Sequence, residues 1–247
     1  MKKILILSSF LCSILSVFGQ NTEGVVTFEE KMNLHRRITD EAMKARVPEF
    51  RSSNMQLVFR GDECIYKAIE EEEDEDANAG RGGGFRFRRP NVEIYRNYAT
   101  NRRIELREMM DKKYLIETDM KQPAWKLGTE TKKILGYECT QATWSDTARK
   151  QEVVAWFTMD LPLAAGPQNF GSLPGLILEA DINDGETLLM AKKIDMKKVK
   201  DSAIKAPSKG DKVTEEEYRA KMEEMRKKMG NGQGGPGGGP GFRVIRQ

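Results

Sequence analysis

Apolar and polar residues alternate along most of this chain in short runs, which is the pattern of β-strands with one buried face. Residues 24–32 form the first run, and residues 55–59 and 64–69 flank a turn at 60–63, which predicts a hairpin. Turn-forming residues separate the later runs, which lie at 92–95, 103–107, 114–117, 133–144, 153–158, 176–178 and 186–194. We expect about ten strands, and a twisted sheet of that size curls or closes.

Two segments have a helical period instead. Residues 36–53 carry apolar side chains at helix-compatible spacing up to Pro48. Residues 213–229 read as a helix in which Thr214 and Glu217 form a capping box. The pattern therefore predicts a mainly β, β-rich α+β protein with one curved antiparallel sheet or partly open barrel and a C-terminal helix. Its shape is similar to that of periplasmic lipoprotein carriers, which is an analogy of fold alone.

Composition divides the chain into parts. Residues 1–19 combine two lysines, an apolar stretch and small residues before Gln20, which predicts a cleaved signal peptide and an exported protein. Residues 20–200 hold the predicted strands, interrupted at 70–90 by an acidic run and a Gly-Arg-rich stretch that reads as a flexible insertion. Residues 201–247 comprise the predicted helix and a glycine-rich tail. No segment after the signal peptide has the length and apolarity of a transmembrane helix.

Charge and cysteine usage narrow the function classes. The net charge of +3 falls to +1 once residues 1–19, with two lysines and no acid, are removed, so charge does not favour nucleic acid as a partner. Cys64 and Cys139 then remain, and an oxidising compartment makes them a candidate disulfide, with two separate buried thiols as the alternative. Two cysteines and one histidine do not predict a zinc site, and no cofactor motif is found.

Catalytic chemistry has little support in the sequence. His35 is the single histidine and lies among charged residues without a nucleophile signature, so no catalytic residue is assigned. Methionines at helical spacing near the C-terminus could bind copper(I), but such methionines more often serve in packing.

The segment from Phe170 to Glu179 has the most specific pattern in the chain. Leu173-Pro174-Gly175-Leu176 fits a type II turn, with proline at the second position and glycine at positive φ at the third. A buried strand follows, and Asp184-Gly185 predicts a hairpin to the next strand. The sequence therefore predicts a core hairpin with a tight entry, while a ligand approaching the bare backbone is the alternative.

The same segment resembles the motif that names the GLPGLI family of exported Bacteroidetes proteins. Further similarities precede it in the family's order, over roughly residues 22–195: Trp125, Thr131-Lys132, Gly136-Tyr137-Glu138-Cys139, Ala155-Trp156-Phe157-Thr158 and Gly166-Pro167. Ser172 departs from the family by replacing the first glycine of the motif, which argues against a bare backbone there. The motif residues are a possible contact site: Gly171, Leu173, Pro174, Gly175, Leu176 and Ile177.

The resemblance implies a periplasmic or outer-membrane-associated protein, because the family is often encoded beside TonB-dependent outer-membrane receptors. We therefore expect a non-enzymatic envelope accessory or binding protein whose partner is such a receptor or another envelope protein, or an apolar ligand. The alternatives are an envelope hydrolase with an unrecognised site and a periplasmic metal-handling protein that uses the methionine-rich tail.

Overall fold

The computed structural model describes residues 23–69, 92–109, 112–147 and 150–231. The predicted signal peptide, the insertion at 70–90 and the glycine-rich tail from residue 232 lie outside the described residues.

Twelve strands and two α-helices make up the described chain. The strands are β1 Glu23–Asn33, β2 Phe50–Arg60, β3 Glu63–Ala68, β4 Val92–Asn97, β5 Arg102–Met109, β6 Lys112–Asp119, β7 Lys126–Ile134, β8 Tyr137–Asp146, β9 Gln151–Thr158, β10 Leu176–Ile182, β11 Thr187–Met196 and β12 Asp211–Val213. The helices are α1 Glu41–Lys44 and α2 Glu215–Asn231, with 3₁₀ turns at His35–Arg37 and Asp201–Ala203.

All twelve strands belong to one large, open, curved sheet in the order β12-β6-β5-β4-β3-β2-β1-β11-β10-β9-β8-β7. Strands β2 to β6 run outward from β1 on one side as an antiparallel meander, and β7 to β11 return from the far edge to pair with the other side of β1. Only β12 is parallel to its neighbour, β6. The predicted fold class, mainly β with one curved sheet and a C-terminal helix, is therefore confirmed.

Local signals explain the ends of several elements. Asn183, Asp184 and Gly185 all have positive φ at the predicted hairpin between β10 and β11. At the start of α2, the Thr214 N–H donates to Glu217 Oε2 (2.9 Å) and the Glu217 N–H donates to Thr214 Oγ1 (3.1 Å), so the predicted capping box is present.

The helical interpretation of residues 36–53 is wrong for most of its length. One 3₁₀ turn and the single turn of α1 form there, and β2 already begins at Phe50. The physical reason is that Phe50 to Arg60 pair with β1 along its whole length, and strand pairing overrides a weak helical preference.

The sheet buries apolar side chains on both faces. Phe28, Leu57 and Tyr66 belong to the core on one face, together with Ala165 from the segment that precedes β10. Residues of the first meander that alternate with these pack on the opposite face against Ile204, which follows β11. At the β12 edge, Tyr218 of α2 packs on Tyr114 and Ile116 of β6, so residues 201–218 are attached to the sheet. None of the described helices is long and apolar enough to cross a membrane.

Candidate functional site

Residues 159–175, here called the roof loop, connect β9 to β10 and lie across one face of the sheet. Beneath this loop and beside it runs a row of buried or half-buried polar side chains, here called the polar stripe. Its members are Glu30, Tyr66, Arg96, Arg103, Glu105 and Arg107. The strand register places Arg96 of β4 opposite Arg103 of β5, so both side chains leave the same face.

Arg96 fixes the roof loop from below. Its side chain is 3% exposed, and its two terminal nitrogens donate to the main-chain oxygens of Phe170 (2.7 Å) and Gly166 (2.7 Å). These bonds remove two carbonyl groups from water without leaving them unpaired, which is the condition for burying an irregular loop. Within the described residues, Arg96 has no carboxylate partner.

Glu105 is the buried carboxylate of the stripe. Its side chain is 3% exposed and accepts from the guanidinium groups of both Arg103 and Arg107. Arg103 also donates to Asn169 Oδ1 of the roof loop (2.8 Å), and the Arg107 guanidinium lies 5.2 Å from the ring centre of Tyr218. Burial lowers the pKa of the Arg103 guanidinium; Glu105 opposes this effect, while repulsion from Arg96 and Arg107 adds to it.

Glu30 holds the loop at the other end of the stripe. The Tyr66 hydroxyl donates to Glu30 Oε1 (2.8 Å), and Gln168 Nε2 donates to the same oxygen (3.0 Å). Beside Arg96, the Cys64 thiol lies 4.0 Å from the Tyr98 hydroxyl, and burial raises the pKa of that phenol. The loop is thus joined by hydrogen bonds to β1, β4 and β5.

The GLPGLI-like motif forms the end of the roof loop, and most of it is buried. Gly171, Leu173, Gly175, Leu176 and Ile177 lie in the interior, while Pro174 is exposed. The possible contact site predicted from the sequence therefore contacts mainly the sheet of its own chain.

The expected positive φ at Gly175 is wrong. Gly175 does not have a positive φ, and the Leu176 N–H donates to Leu161 O (3.0 Å). Glycine is required for a different reason, because a Cβ at this position would lie 2.0 Å from the main-chain oxygen of Thr158. Positive φ occurs instead at Ser172, where φ is 64°. Ser172 stands where the GLPGLI motif has its first glycine, so this position does have the backbone conformation that glycine favours.

The remaining candidates from the sequence, Cys64, Cys139 and His35, do not form a catalytic cluster among the described residues. Cys64 and Cys139 are both buried free thiols, so the structure does not support the expected disulfide. Burial raises the pKa of the Cys139 thiol to about 11. His35 Nε2 lies 2.8 Å from the main-chain oxygen of Val47, and no group of three or more metal-binding His, Cys, Asp or Glu side chains occurs among the described residues.

An open groove of about 890 Å³ lies between β6, β12 and the start of α2. Its lining mixes charges of both signs, including Glu117, Lys121 and Lys212, with apolar side chains such as Leu115. This composition differs from the deep apolar cavity that a carrier of apolar ligands would need.

Reasoning from the sequence missed the polar stripe. A signal was present, since Arg103, Glu105 and Arg107 occupy alternate positions of a strand whose intervening residues, Ile104 and Leu106, are apolar. Alternation of this kind predicts a strand with one buried and one solvent-exposed face. The roof loop and α2, which cover this face, come from distant parts of the chain and are not visible in the local pattern.

Comparison with known proteins adds a family and a fold. A family model described as the N-terminal domain of N-glycanase peptide matches residues 86–219, which is more than half of the chain. Two solved structures of PNGF-II, in space groups P21 and C2, have TM-scores of 0.56 and 0.55, 16% sequence identity, and matches that cover 83% of this chain. The match covers 34% and 33% of those chains, so this chain spans about a third of PNGF-II.

No curated protein matches this chain. At 16% identity the likeness to PNGF-II shows a shared fold. The family match runs from β4 to the first residues of α2 and includes the four stripe residues of β4 and β5. The chain belongs to the family of N-glycanase peptide N-terminal domains.

Proposed function

We propose that this chain is a non-enzymatic accessory or binding protein of the cell envelope. The observation that carries the proposal is the match to an N-terminal domain, together with the coverage of only about a third of PNGF-II. In PNGF-II the matched third belongs to a longer chain, and a binding role is the simplest one to propose for such a domain.

The geometry of the polar stripe supports this role. Catalytic side chains converge on a position where a substrate atom can sit. Here the terminal nitrogens of Arg96 are bound to the roof loop, and Glu105 is shared between two guanidinium groups of its own strand. The Arg96 and Glu105 side chains are therefore used to stabilise the fold.

An exposed apolar tip is the contact surface that we propose for the partner. Leu135 is 47% exposed at the β7–β8 turn and has φ of 51°. Met159, 64% exposed, follows β9 at the same end of the sheet. A left-handed conformation costs a bulky residue about 1–2 kcal/mol, and exposure gives no burial in return. We therefore assign the partner contact to this end of the sheet, where Leu135 and Met159 are exposed, with a TonB-dependent outer-membrane receptor as the candidate.

The experiment has two arms. In the first, the purified chain is incubated at equimolar ratio with a denatured N-glycoprotein, and glycan release is followed by mass spectrometry. We expect no release. Release that scales with chain concentration would contradict the proposal and favour the hydrolase alternative, which the family's description as N-glycanase motivates.

In the second arm, the tagged chain is mixed with the detergent-solubilised receptor, and complex formation is measured by co-purification. Leu135→Asn removes the apolar side chain and suits positive φ, so it should abolish the complex without lowering stability. Leu127→Asn is the matched control, because Leu127 is 63% exposed on β7, at the end of that strand away from the Leu135 turn. No complex with the unaltered chain, or equal loss in both variants, would contradict the proposed partner surface.

A further inference from the structure

Two buried hydrogen-bond donors in the polar stripe have no acceptor among the described residues. They are the Nε–H groups of Arg96 and Arg103, neither of which has a hydrogen-bond partner. Buried N–H groups are almost always paired, and an exception in a native fold indicates an ordered water, an ion or a functional site.

The two unpaired donors are neighbours. Arg96 and Arg103 are directly opposite in the β4–β5 register, so their Cβ atoms are about 5 Å apart on the same face. Their terminal nitrogens are engaged with Gly166, Phe170, Glu105 and other partners, which leaves the Nε side of each guanidinium available.

The local charge favours an anion over a water. Among the described residues, the stripe holds three guanidinium groups against two carboxylates, Glu30 and Glu105, which leaves one positive charge in excess. Glu105 pairs with Arg103 and Arg107, whereas the terminal nitrogens of Arg96 donate to neutral carbonyl oxygens. A buried cation without a counter-charge is costly. A water would accept the two hydrogen bonds but leave the charge, whereas an oxyanion would satisfy both.

We propose that the stripe contains a binding site for an oxyanion, a carboxylate, sulfate or phosphate group, between the Nε atoms of Arg96 and Arg103. Access is beside the roof loop, because the Arg103 side chain is 15% exposed and its partner Asn169 is exposed. The site names a ligand class for the proposed binding role and rests on that role for its biological purpose. It is nevertheless testable without a partner, since it is formed within one chain.

The test uses thermal unfolding and calorimetric titration of the whole chain at constant ionic strength. The probes are inorganic phosphate, sulfate and acetate, with glucuronate as a sugar carboxylate and chloride as the control. We expect saturable binding of one oxyanion per chain and a rise in Tm of about 3–6 °C for each tenfold increase above Kd. Tighter binding of glucuronate than acetate would indicate a sugar acid as ligand, and a preference for phosphate or sulfate would indicate a free or esterified inorganic anion.

Two variants remove the site and one controls for charge. Arg103→Gln removes the guanidinium, and Arg103→Lys keeps the charge but removes the Nε–H donor; both should weaken oxyanion binding at least tenfold. Arg102→Gln also removes one charge from β5, but its side chain alternates with Arg103 and pairs with Glu117 on the opposite face, so binding should be unchanged.

Sulfate and phosphate also stabilise proteins by exclusion from the protein surface. The proposal would be overturned if the anions stabilised all variants equally, in proportion to salt concentration and without saturation. If Arg103→Gln does not fold, Arg103→Lys gives the answer by the same titration. Failure here leaves the receptor experiment intact, because that experiment depends on Leu135 and not on the stripe.

Discussion

Replacing Gly175 with alanine tests the close approach between the roof loop and β9. The added Cβ would lie 2.0 Å from the Thr158 oxygen and 2.7 Å from the Thr158 carbonyl carbon, and both atoms belong to buried main chain that cannot rotate away. Relief requires a shift of about 1 Å at the start of β10, judged against the 3.0 Å lower limit of real contacts. Leu176 and Ile177, both 0% exposed, would move with it.

We expect Gly175→Ala to lower the free energy of unfolding by about 3 kcal/mol or more, from overpacking and partial loss of apolar burial. For a domain of this size, that corresponds to a fall in Tm of about 6–12 °C. Urea titration followed by tryptophan fluorescence and by circular dichroism measures the change, provided that the two transitions coincide.

Gly136→Ala is the matched control. A Cβ at Gly136 meets nothing within 4 Å, but φ there is 88°, so this variant carries backbone strain without a clash. It should lose about 1–2 kcal/mol. A Gly175→Ala protein as stable as the unaltered chain, or no less stable than Gly136→Ala, would show that the contact with Thr158 does not require glycine.

Four further predictions concern other parts of the fold. Ser172→Gly should raise stability by about 0.5 kcal/mol, because relief of the left-handed φ exceeds the entropy cost of glycine; a fall in Tm would refute this. Thr214→Ala should weaken the capping box by about 1 kcal/mol, seen as faster amide exchange in α2, and unchanged exchange would contradict it. Cys64 and Cys139 should both be alkylated in urea without reductant and neither in the folded chain; a linked peptide pair would restore the disulfide. Burial raises the pKa of the Cys139 thiol to about 11. Its contribution to stability is therefore complete below the unfolded thiol pKa of about 8.5 and is lost as pH rises through 11. A Cys139→Ala variant whose stability falls in the same way at alkaline pH would refute this.

Elements defined by adjacent residues were predictable from the sequence. The hairpin at Asp184-Gly185 and the capping box of Thr214 depend on residues within four positions of one another, and both are present. The start of β2 at residues 50–53 was not predictable in this way, because those residues are extended through their pairing with β1.

The glycine motif shows a similar limit. Its turn chemistry indicated positive φ at Gly175, but the requirement there is space against Thr158, a residue seventeen positions earlier whose proximity arises from strand register. The positive φ at Ser172 was missed because serine gives no signal for it. The polar stripe was missed for the same reason, since its burial comes from the roof loop and α2.

The central position of β1 has a consequence for folding during synthesis. Among the described strands, the pairing of β1 with β11 joins the two meanders, and it connects residues such as Phe28 and Ala191 that are far apart in the chain. The first meander can form as soon as it is made, but one edge of β1 then stays unpaired until β11 emerges. Such long-range closure is slow, and an unpaired edge is open to association with other chains. If the protein is exported as proposed, the interval before β11 arrives is the stage at which it most needs a chaperone.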